Sequence, residues 1–443
     1  MTAEPDRPAE PNRQAEPDRP AAGLLRLVLL GAIIGIPAAL IAFAFFGLVH
    51  LLQEALWTEL PHSLGVEQPP WYLVIGLPVV GALVVAVARL ALPGDGGPSP
   101  LAGIQHGATP VRYAPGIALA ALGTLGFGLV LGPEAPVIAL GSAVGVAMTN
   151  LARPDPRGGA VLATAGSFSA ISALFGGPII AGVLLTEGGA GLGARLIPTL
   201  VPGFVAAAVG YLIFTGLGPL TELPAPGLTV PNLEVYPGTS LADLAIAIAV
   251  GAAAAVVISL VNRGARGLGL TGGRFGASRA GTTAFLLAGG LGVGLLAMLA
   301  AQLGGSSKDV LFSGQASIPT LVAETSLTVL VVLLVAKALA YVLSLASGFR
   351  GGPIFPAVFL GVGLAAFAVQ LFALSATAAV AIGTAAGMAA QTRLVLSPIL
   401  FSALLVGTAG ARAIPAVVLA SVAAYLTANA LDRQADPEPA ART

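Results

Sequence analysis

GPEAPVIALG at residues 132–141 and GPIFPAVFLG at residues 352–361 are the two stretches that decide the fold of this chain. Both read G-P-x-x-P-x-x-x-L-G, and their first residues lie 220 positions apart (352 − 132), about half of the 443-residue sequence. Matching signatures at corresponding positions of two halves are expected in a duplicated membrane transporter, whose binding site lies where the repeats meet. The pair therefore predicts two structurally related halves.

Each decapeptide has the composition of a helix start. Pro136 and Pro356 suit the first turn of a helix, where the missing N–H is not needed, and the glycines before them let backbone approach a ligand closely. A helix N-terminus carries free N–H groups and a partial positive charge, so two converging ends would bind an anion without a buried Lys or Arg. A full positive charge would hold a permeating ion too tightly to release it. The alternative is two turns that begin ordinary helices.

The composition of the whole chain places these segments in a membrane. Charged residues make up 9% of the sequence and hydrophobic residues 56%, whereas soluble domains carry about 25% charged residues. A net charge of zero without a basic patch argues against nucleic-acid binding. The absence of Cys and the wide spacing of the three His exclude thiolate sites and a zinc-protease motif, so neither metal nor cofactor is predicted.

The apolar segments predict an all-α integral membrane protein, a bundle of many tilted and broken helices. Several segments are shorter than the 18 or so residues that span a bilayer, and 59 Gly and 34 Pro favour interrupted helices. Arg-rich flanks predict a cytoplasmic N-terminus and a cytoplasmic loop at 262–280. The predicted organisation is a disordered cytoplasmic tail (1–21), a first membrane half (22–217), an extracellular loop (218–240), a second membrane half (241–430) and a short cytoplasmic tail (431–443).

Glu134 is the acid inside the first decapeptide, and apolar residues flank the segment. A charged acid at the bilayer centre costs about 2.5–3.5 kcal/mol on insertion scales. That cost falls at a helix N-terminus, because the carboxylate then occupies the anion site itself. It would compete with a transported anion, and protonation or a higher anion concentration would release it. Glu134 is therefore predicted to be a pH-linked gate, and the alternative is a structural carboxylate that caps a helix.

Three stretches resemble the chloride channel and chloride/proton antiporter (CLC) family. Residues 122–145 are similar to its G-R-E-G-P segment and the Gly-rich helix before it, and Glu134 falls on the gating glutamate. Residues 347–356 resemble its G-x-F-x-P segment, and residues 175–187 resemble its P-L-A-G…E-E helix. The resemblance implies a CLC-type inverted-repeat fold and a homodimer with one pore in each subunit.

The anion site implied by the resemblance departs from the family pattern. Ile354 takes the Phe position of the second segment, and the family's pore tyrosine has no counterpart near residue 410. In the family's G-S-G-I-P segment the serine position holds glycine here, with a serine two residues later as a candidate substitute. The residues expected to bind the anion are Gly132, Ala135, Gly352, Ile354, Phe355, Gly97 and Ser99.

Glu187 falls on the first acid of the family's E-E pair, and Gly188 falls on the second. Glu187 is therefore the candidate for a proton path, and the alternative is a structural acid at a helix end. Lys337 stands alone in an apolar helix, and we expect a buried structural cation or one that reaches toward the membrane surface, with a pore-lining residue as the alternative.

The sequence thus predicts a multi-pass protein of the cell membrane that transports chloride or another small anion. The leading interpretation is a gated chloride channel of the voltage-gated type. An enzyme is not expected. Chloride/proton antiport, with protons as a second substrate, and a fluoride-selective relative are the alternatives. An intramembrane enzyme would need a second polar group beside Glu134, and a membrane scaffold would leave that acid unexplained.

Overall fold

The computed structural model describes residues 20–103, 107–152, 156–188, 196–221, 230–275 and 278–435. Within these ranges the regular structure is helical, without strands, which confirms the all-α prediction. The α-helices are α1 (Pro20–Glu54), α2 (Leu60–Ser63), α3 (Trp71–Ala91), α4 (Ala114–Leu125), α5 (Glu134–Ala152), α6 (Pro156–Leu174), α7 (Pro178–Gly188), α8 (Leu196–Thr221), α9 (Leu241–Phe275), α10 (Arg279–Gln302), α11 (Ser307–Val310), α12 (Ile318–Ala323), α13 (Leu327–Ala346), α14 (Ile354–Phe372), α15 (Ala376–Thr392), α16 (Leu396–Val406) and α17 (Ile414–Ala435).

Helix lengths agree with a protein that lies in a bilayer. Among the described residues, eight helical stretches are long and apolar enough to cross a membrane, by length and composition. Shorter apolar stretches of 10–17 residues lie between them, in the region of α4 to α7. This mixture of full-length and short helices is the predicted architecture of broken helices.

The order and length of the helices repeat. Helix α1 and helix α9 each have 35 residues, α5 and α14 each have 19, and α7 and α16 each have 11. Packing repeats as well, since α1 contacts α6 and α8 while α9 contacts α15 and α17. The corresponding helices of the two halves are α1 and α9, α3 and α10, α4 and α13, α5 and α14, α6 and α15, α7 and α16, and α8 and α17.

Glycines let equivalent helix pairs approach closely in each half. A Cβ at Gly141 of α5 would overlap the backbone of Gly166 in α6. A Cβ at Gly361 of α14 would likewise overlap the backbone of Gly383 in α15. Small residues at helix interfaces are a common source of packing energy between helices in membranes. Gly141 and Gly361 end the two decapeptides, so the repeat preserves a packing contact.

The element boundaries differ from the predicted domain boundaries by a few residues. Helix α1 begins at Pro20, α8 extends to Thr221, and α17 extends to Ala435. The last turns of α17 are held by tertiary contacts, because Arg393 pairs with Asp432 at 2.8 Å and the Arg263 guanidinium donates to the Leu431 carbonyl at 2.6 Å. The rest of the two predicted tails, residues 1–19 and 436–443, lies outside the described residues.

Candidate functional site

The two decapeptides meet at their first glycines. The Gly132 N–H donates to the Gly352 carbonyl at 2.7 Å, and the Gly352 N–H donates to the Gly132 carbonyl at 2.6 Å, an antiparallel pair. Helix α5 begins two residues after one glycine and α14 begins two residues after the other. The two helix N-termini therefore lie side by side about a local two-fold axis, as the repeat predicted.

This pairing changes the role of Gly132 and Gly352. We expected their amides to bind an anion, but each amide is already donated to the other half. Neither glycine has a positive φ, so the requirement for glycine is one of space. A Cβ at Gly352 would overlap the Glu134 carboxyl group, and a Cβ at Gly132 would overlap the same group. The two glycines thus form walls of the pocket that holds this carboxylate.

Glu134 places its carboxylate at the N-terminus of the opposite half. Its side chain is buried, with 1% of the residue exposed. Oε1 accepts the Ile354 N–H at 2.5 Å, and the amides of Phe355 and of Glu134 itself also face the carboxylate. Oε2 has no hydrogen-bond partner among the described residues. Ile354 and Phe355, both predicted anion ligands, therefore hold a carboxylate in the position where a small anion would bind.

Aromatic rings close one side of this position. Phe355 stacks on Phe175 with ring centroids 5.9 Å apart, and Phe401 packs edge-on against both rings. All three rings are buried. An apolar surrounding excludes water and strengthens the electrostatic attraction between the helix N-terminus and a negative charge.

A polar stripe on α13 supports both decapeptides, and sequence reasoning missed most of it. The Tyr341 hydroxyl donates to the Pro353 carbonyl at 2.8 Å, directly before the first helical residue of α14. The Val130 N–H, just before the first decapeptide, donates to the Ser344 Oγ at 3.0 Å. Lys337, Tyr341 and Ser344 follow at intervals of four and three residues on one buried face. That periodicity in an otherwise apolar helix was the signal that could have revealed them.

Lys337 agrees with the interpretation of a buried structural cation. Its ammonium donates to the carbonyls of Asp309, Leu311 and Phe312 at 2.8–3.1 Å and lies 4.7 Å from the centroid of the Phe359 ring. The Phe312 N–H in turn donates to the Gly128 carbonyl at 3.1 Å. Lys337 therefore fixes the loop after α11 against the segment that leads to Glu134.

Glu134 also lines a cavity of about 270 Å³ on its other side. Ala135, Gly97, Tyr113 and Pro353 contribute to the wall. A second cavity of about 270 Å³ shares Gly103 and Pro353 with the first, and Glu187, Gln391 and Thr392 also line it. The Asn262 side chain lies in α9, because the structure continues this helix to Phe275 through most of the loop predicted at 262–280, and it donates to Gln391 at 3.3 Å. From the positive-inside rule we expect this side to be cytoplasmic, and we call the two cavities together the inner vestibule.

Gly97 and Ser99 are the two anion-binding candidates from the family's first anion segment, and the structure places them in different surroundings. Gly97 lines the cavity below Glu134, in a turn where its φ of 102° suits glycine. Its own amide donates to the Gly94 carbonyl at 2.9 Å. Ser99 is exposed and does not line that cavity, because the chain turns into a short 3-10 helix at Pro100–Ala102. The structure therefore does not bring the Ser99 hydroxyl to the position that the missing serine would fill.

Glu187 is tied to the start of α16. One oxygen accepts the N–H groups of Val395 and Leu396 at 2.6 and 2.9 Å. The other accepts the Ser397 N–H at 2.8 Å and the Ser397 hydroxyl at 2.7 Å. Four donors satisfy the ionised carboxylate. The contacts are those of a helix cap that joins the two halves, although the residue also lines the second cavity.

A protein family and several relatives match most of the chain. A family described as "Voltage gated chloride channel" matches residues 76–429. Two relatives named "Putative ion-transport protein YfeO", one from Escherichia coli (strain SMS-3-5 / SECEC) and one from Escherichia fergusonii, are each 32% identical over 354 residues. Each alignment covers 78% of this chain and 79% of the relative.

Solved structures share the fold at lower identity. A slow cyanobacterial Cl−/H+ antiporter aligns with a TM-score of 0.76 at 16% identity, over 92% of this chain and 95% of that one. A CLC-type fluoride/proton antiporter aligns with a TM-score of 0.67 at 21% identity, over 91% and 95% of the two chains. A eukaryotic CLC transporter aligns with a TM-score of 0.69 at 19% identity, over 93% of this chain and 72% of that one. At these identities the similarity shows the architecture alone.

Proposed function

The chain belongs to the voltage gated chloride channel family, and on that premise we propose that it is a gated chloride channel in which Glu134 is the gate. Family membership makes it a multi-pass protein of the cell membrane that transports anions. The finer assignment rests on one observation: the Glu134 carboxylate lies at the N-terminus of α14 in the position of a bound anion. When the carboxylate occupies this position, an anion cannot.

The gate opens when the carboxylate leaves this position. Protonation removes the charge that the Ile354 and Phe355 amides attract, and the neutral group is held more weakly. A higher anion concentration acts in the same direction by competing for the amides. Ala135 and Gly97 line the vestibule below, through which an anion reaches the α14 N-terminus from the cytoplasmic side. Partial charges of backbone amides bind a dehydrated anion and still release it.

Passive conduction is favoured over proton-coupled exchange by the contacts of Glu187. Glu187 is the acid among the described residues that line the second cavity, and four donors hold its carboxylate as a helix cap. The next position, where the family places its second acid, is Gly188. A carboxylate bound in this way is a poor proton carrier, because protonation would cost it charge-assisted hydrogen bonds.

Antiport remains a second candidate, since two of the similar solved structures are described as proton-coupled antiporters. Fluoride is a second candidate for the anion, because one of these carries fluoride and because Gly97 removes the serine hydroxyl of the family pattern. An enzyme is disfavoured, since the described groups that face the Glu134 carboxylate are backbone amides. A homodimer is a further expectation.

The test is chloride flux from proteoliposomes with and without a proton gradient. We expect chloride efflux that dissipates its own gradient without moving protons, and a higher chloride than fluoride flux under matched gradients. Protons driven uphill by a chloride gradient would establish antiport instead. Glu187→Gln serves as the matched carboxyl variant, and we expect it to leave the proton-to-chloride ratio unchanged.

A further inference from the structure

The repeat continues before the decapeptides as a pair of buried hydroxyl groups. Thr124, near the end of α4, and Ser344, near the end of α13, are 220 positions apart (344 − 124), the offset that also separates Gly132 from Gly352. Each hydroxyl donates at 2.9 Å to the carbonyl four residues earlier in its own helix, and both residues are fully buried. One half therefore carries Thr and the other carries Ser at the same structural position.

Each hydroxyl also accepts an N–H from the opposite half. The Val130 N–H donates to Ser344 Oγ at 3.0 Å, and the Arg350 N–H donates to Thr124 Oγ1 at 3.3 Å. Val130 and Arg350 are again 220 positions apart (350 − 130). The two bonds are therefore equivalent under the local two-fold axis, and they cross between the halves in opposite directions.

Ser344 holds the segment that carries the gate. Its partner Val130 lies four residues before Glu134, and the side chains of Val130 and Leu131 are fully buried. A buried amide needs an acceptor, and the Ser344 hydroxyl supplies it to Val130. This bond therefore fixes the backbone from which the Glu134 side chain extends.

Thr124 holds the segment that carries the predicted anion ligands. Its partner Arg350 lies four residues before Ile354 and five before Phe355. The amides of these two residues face the Glu134 carboxylate. Loss of the Thr124 hydroxyl would leave the Arg350 amide without this acceptor and loosen the backbone that leads to both ligands.

We propose that Thr124 and Ser344 are positioning residues of the anion pathway with separate roles. Thr124 sets the two amides that bind the anion, and Ser344 sets the carboxylate that competes with it. Both act through the backbone, because each hydroxyl is already bonded to one carbonyl and one amide. The proposal rests on the proposed function, since it concerns the same gate and the same anion site.

The first measurement isolates the anion ligands. Initial rates of chloride efflux from proteoliposomes are measured against chloride concentration at neutral pH, in the Glu134→Gln background, where no carboxylate competes for the amides. Adding Thr124→Val should raise the apparent KM about two- to ten-fold, the range that one hydrogen bond gives in an equilibrium constant. Adding Ser344→Ala should leave this KM unchanged, because the gate that Ser344 positions is no longer charged.

The second measurement isolates the gate. With Glu134 in place, Ser344→Ala should raise chloride efflux at neutral pH by a similar factor, because the carboxylate then fits the amides less well and leaves more readily. The increase should disappear in the Glu134→Gln background. A residue that served only folding would change the flux in both backgrounds alike.

The repeat supplies matched controls for both positions. Thr124→Ser and Ser344→Thr exchange the residues of the two halves and keep the hydroxyl, so they should retain the wild-type KM and flux. Where Thr124→Val or Ser344→Ala does not fold, Thr124→Cys and Ser344→Cys give the same comparison, because a thiol is a weaker acceptor of similar size.

Equal KM shifts for the two hydroxyl variants in the Gln background, or no shift for Thr124→Val, would overturn the proposal. So would an unchanged flux in Ser344→Ala with Glu134 present, or a change that persists without Glu134. Each of these results would leave the channel itself intact. Absence of chloride flux from both the wild type and Glu134→Gln would overturn the proposed function instead.

Discussion

Glu134 and Glu187 are two carboxylates that each lie at the N-terminus of a helix in the opposite half, yet their surroundings differ. Glu187 uses both oxygens, with four donors from Val395, Leu396 and Ser397. Glu134 uses one oxygen and leaves Oε2 without a partner in a buried position. A buried polar atom without a partner carries a free-energy cost. The comparison indicates that a fully bonded carboxylate is a fixed cap, whereas a partly bonded one is ready to leave.

The same difference appears in the walls around each acid. The carboxylate of Glu134 fits only because Gly132 and Gly352 have no Cβ, and Glu134 also lines the vestibule. Glu187 lines a cavity but does not close one, since its oxygens point into the turn before α16. Location at a helix N-terminus is therefore shared by the proposed gate and by a cap, and the unpartnered Oε2 of Glu134 distinguishes the two.

Replacing the gate should give the largest effect. Glu134→Gln removes the charge but keeps the size, so the side chain no longer competes with anions for the Ile354 and Phe355 amides. In the wild type we expect anion flux to rise as the pH falls, because protonation releases the carboxylate. In the variant we expect high flux with little dependence on pH, measured as chloride efflux between about pH 3.5 and 8, an interval that begins below the ordinary pKa of a glutamate, about 4.3.

Glu187→Gln is the matched control for that prediction. It should leave the pH response of flux close to that of the wild type, because the cap takes no part in gating. An unchanged pH response in Glu134→Gln, or loss of the response in Glu187→Gln, would reverse the roles assigned to the two acids.

Filling the space at the gate should give the next largest effect. Gly352→Ala places a methyl group against the Glu134 carboxyl, so we expect the carboxylate to be displaced and the flux at neutral pH to rise several-fold. Gly76→Ala in α3 is the control, because no atom lies within 4 Å of a Cβ there. That substitution should stabilise the helix by up to about 1 kcal/mol. Chloride efflux at neutral pH that is no higher than in the wild type would count against the steric account.

Removing the cap should reduce stability rather than gating. Glu187→Ala leaves the Val395, Leu396 and Ser397 amides without their acceptor, and we expect a loss of about 1–3 kcal/mol. Thermal unfolding of the protein in detergent should show this as a lower Tm. An unchanged Tm together with altered proton movement would assign Glu187 to a proton path.

A substitution in the polar stripe on α13 should have the smallest effect on flux. Tyr341→Phe removes the hydroxyl that donates to Pro353 at 2.8 Å and leaves the ring, at a cost of about 1 kcal/mol. Because Pro353 directly precedes the amide that binds Glu134, we expect a modest shift of the pH at half-maximal flux. Ser169→Ala, which removes a buried hydroxyl bonded to the Gly35 carbonyl between α6 and α1, should change stability similarly but leave that pH unchanged. Equal pH midpoints in the two variants would limit Tyr341 to a structural role.

The parts of this architecture that repeat along the chain could be predicted from the sequence. The decapeptides identified the two halves and their meeting point, and Glu134 stood out as an acid in an apolar segment. The family and the membrane location are confirmed by the comparisons. Ile354 and Phe355 were predicted from the resemblance of residues 347–356 to the family's G-x-F-x-P segment, and the structure places the amides of both at the Glu134 carboxylate.

Contacts made through backbone groups could not be predicted. The Gly132–Gly352 pair uses peptide groups, which every residue carries, so its sequence signature is only the absence of a side chain. The α13 hydroxyls bind a carbonyl and an amide that lie 12 and 214 residues away, and no residue type marks those partners. Ser99 failed as a substitute ligand because positive φ angles turn the 94–97 segment before it. The Arg350 side chain, 255 residues away in sequence, donates to the Asp95 carbonyl within this turn.

The central claim is that the Glu134 carboxylate occupies the position of the transported anion. The most direct test is a crystal structure of Glu134→Ala grown with bromide, whose anomalous scattering locates the ion. The account predicts bromide within hydrogen-bond distance of the Ile354 and Phe355 amides, where the wild-type carboxylate lies. An anomalous map with no bromide at the N-terminus of α14 would contradict it.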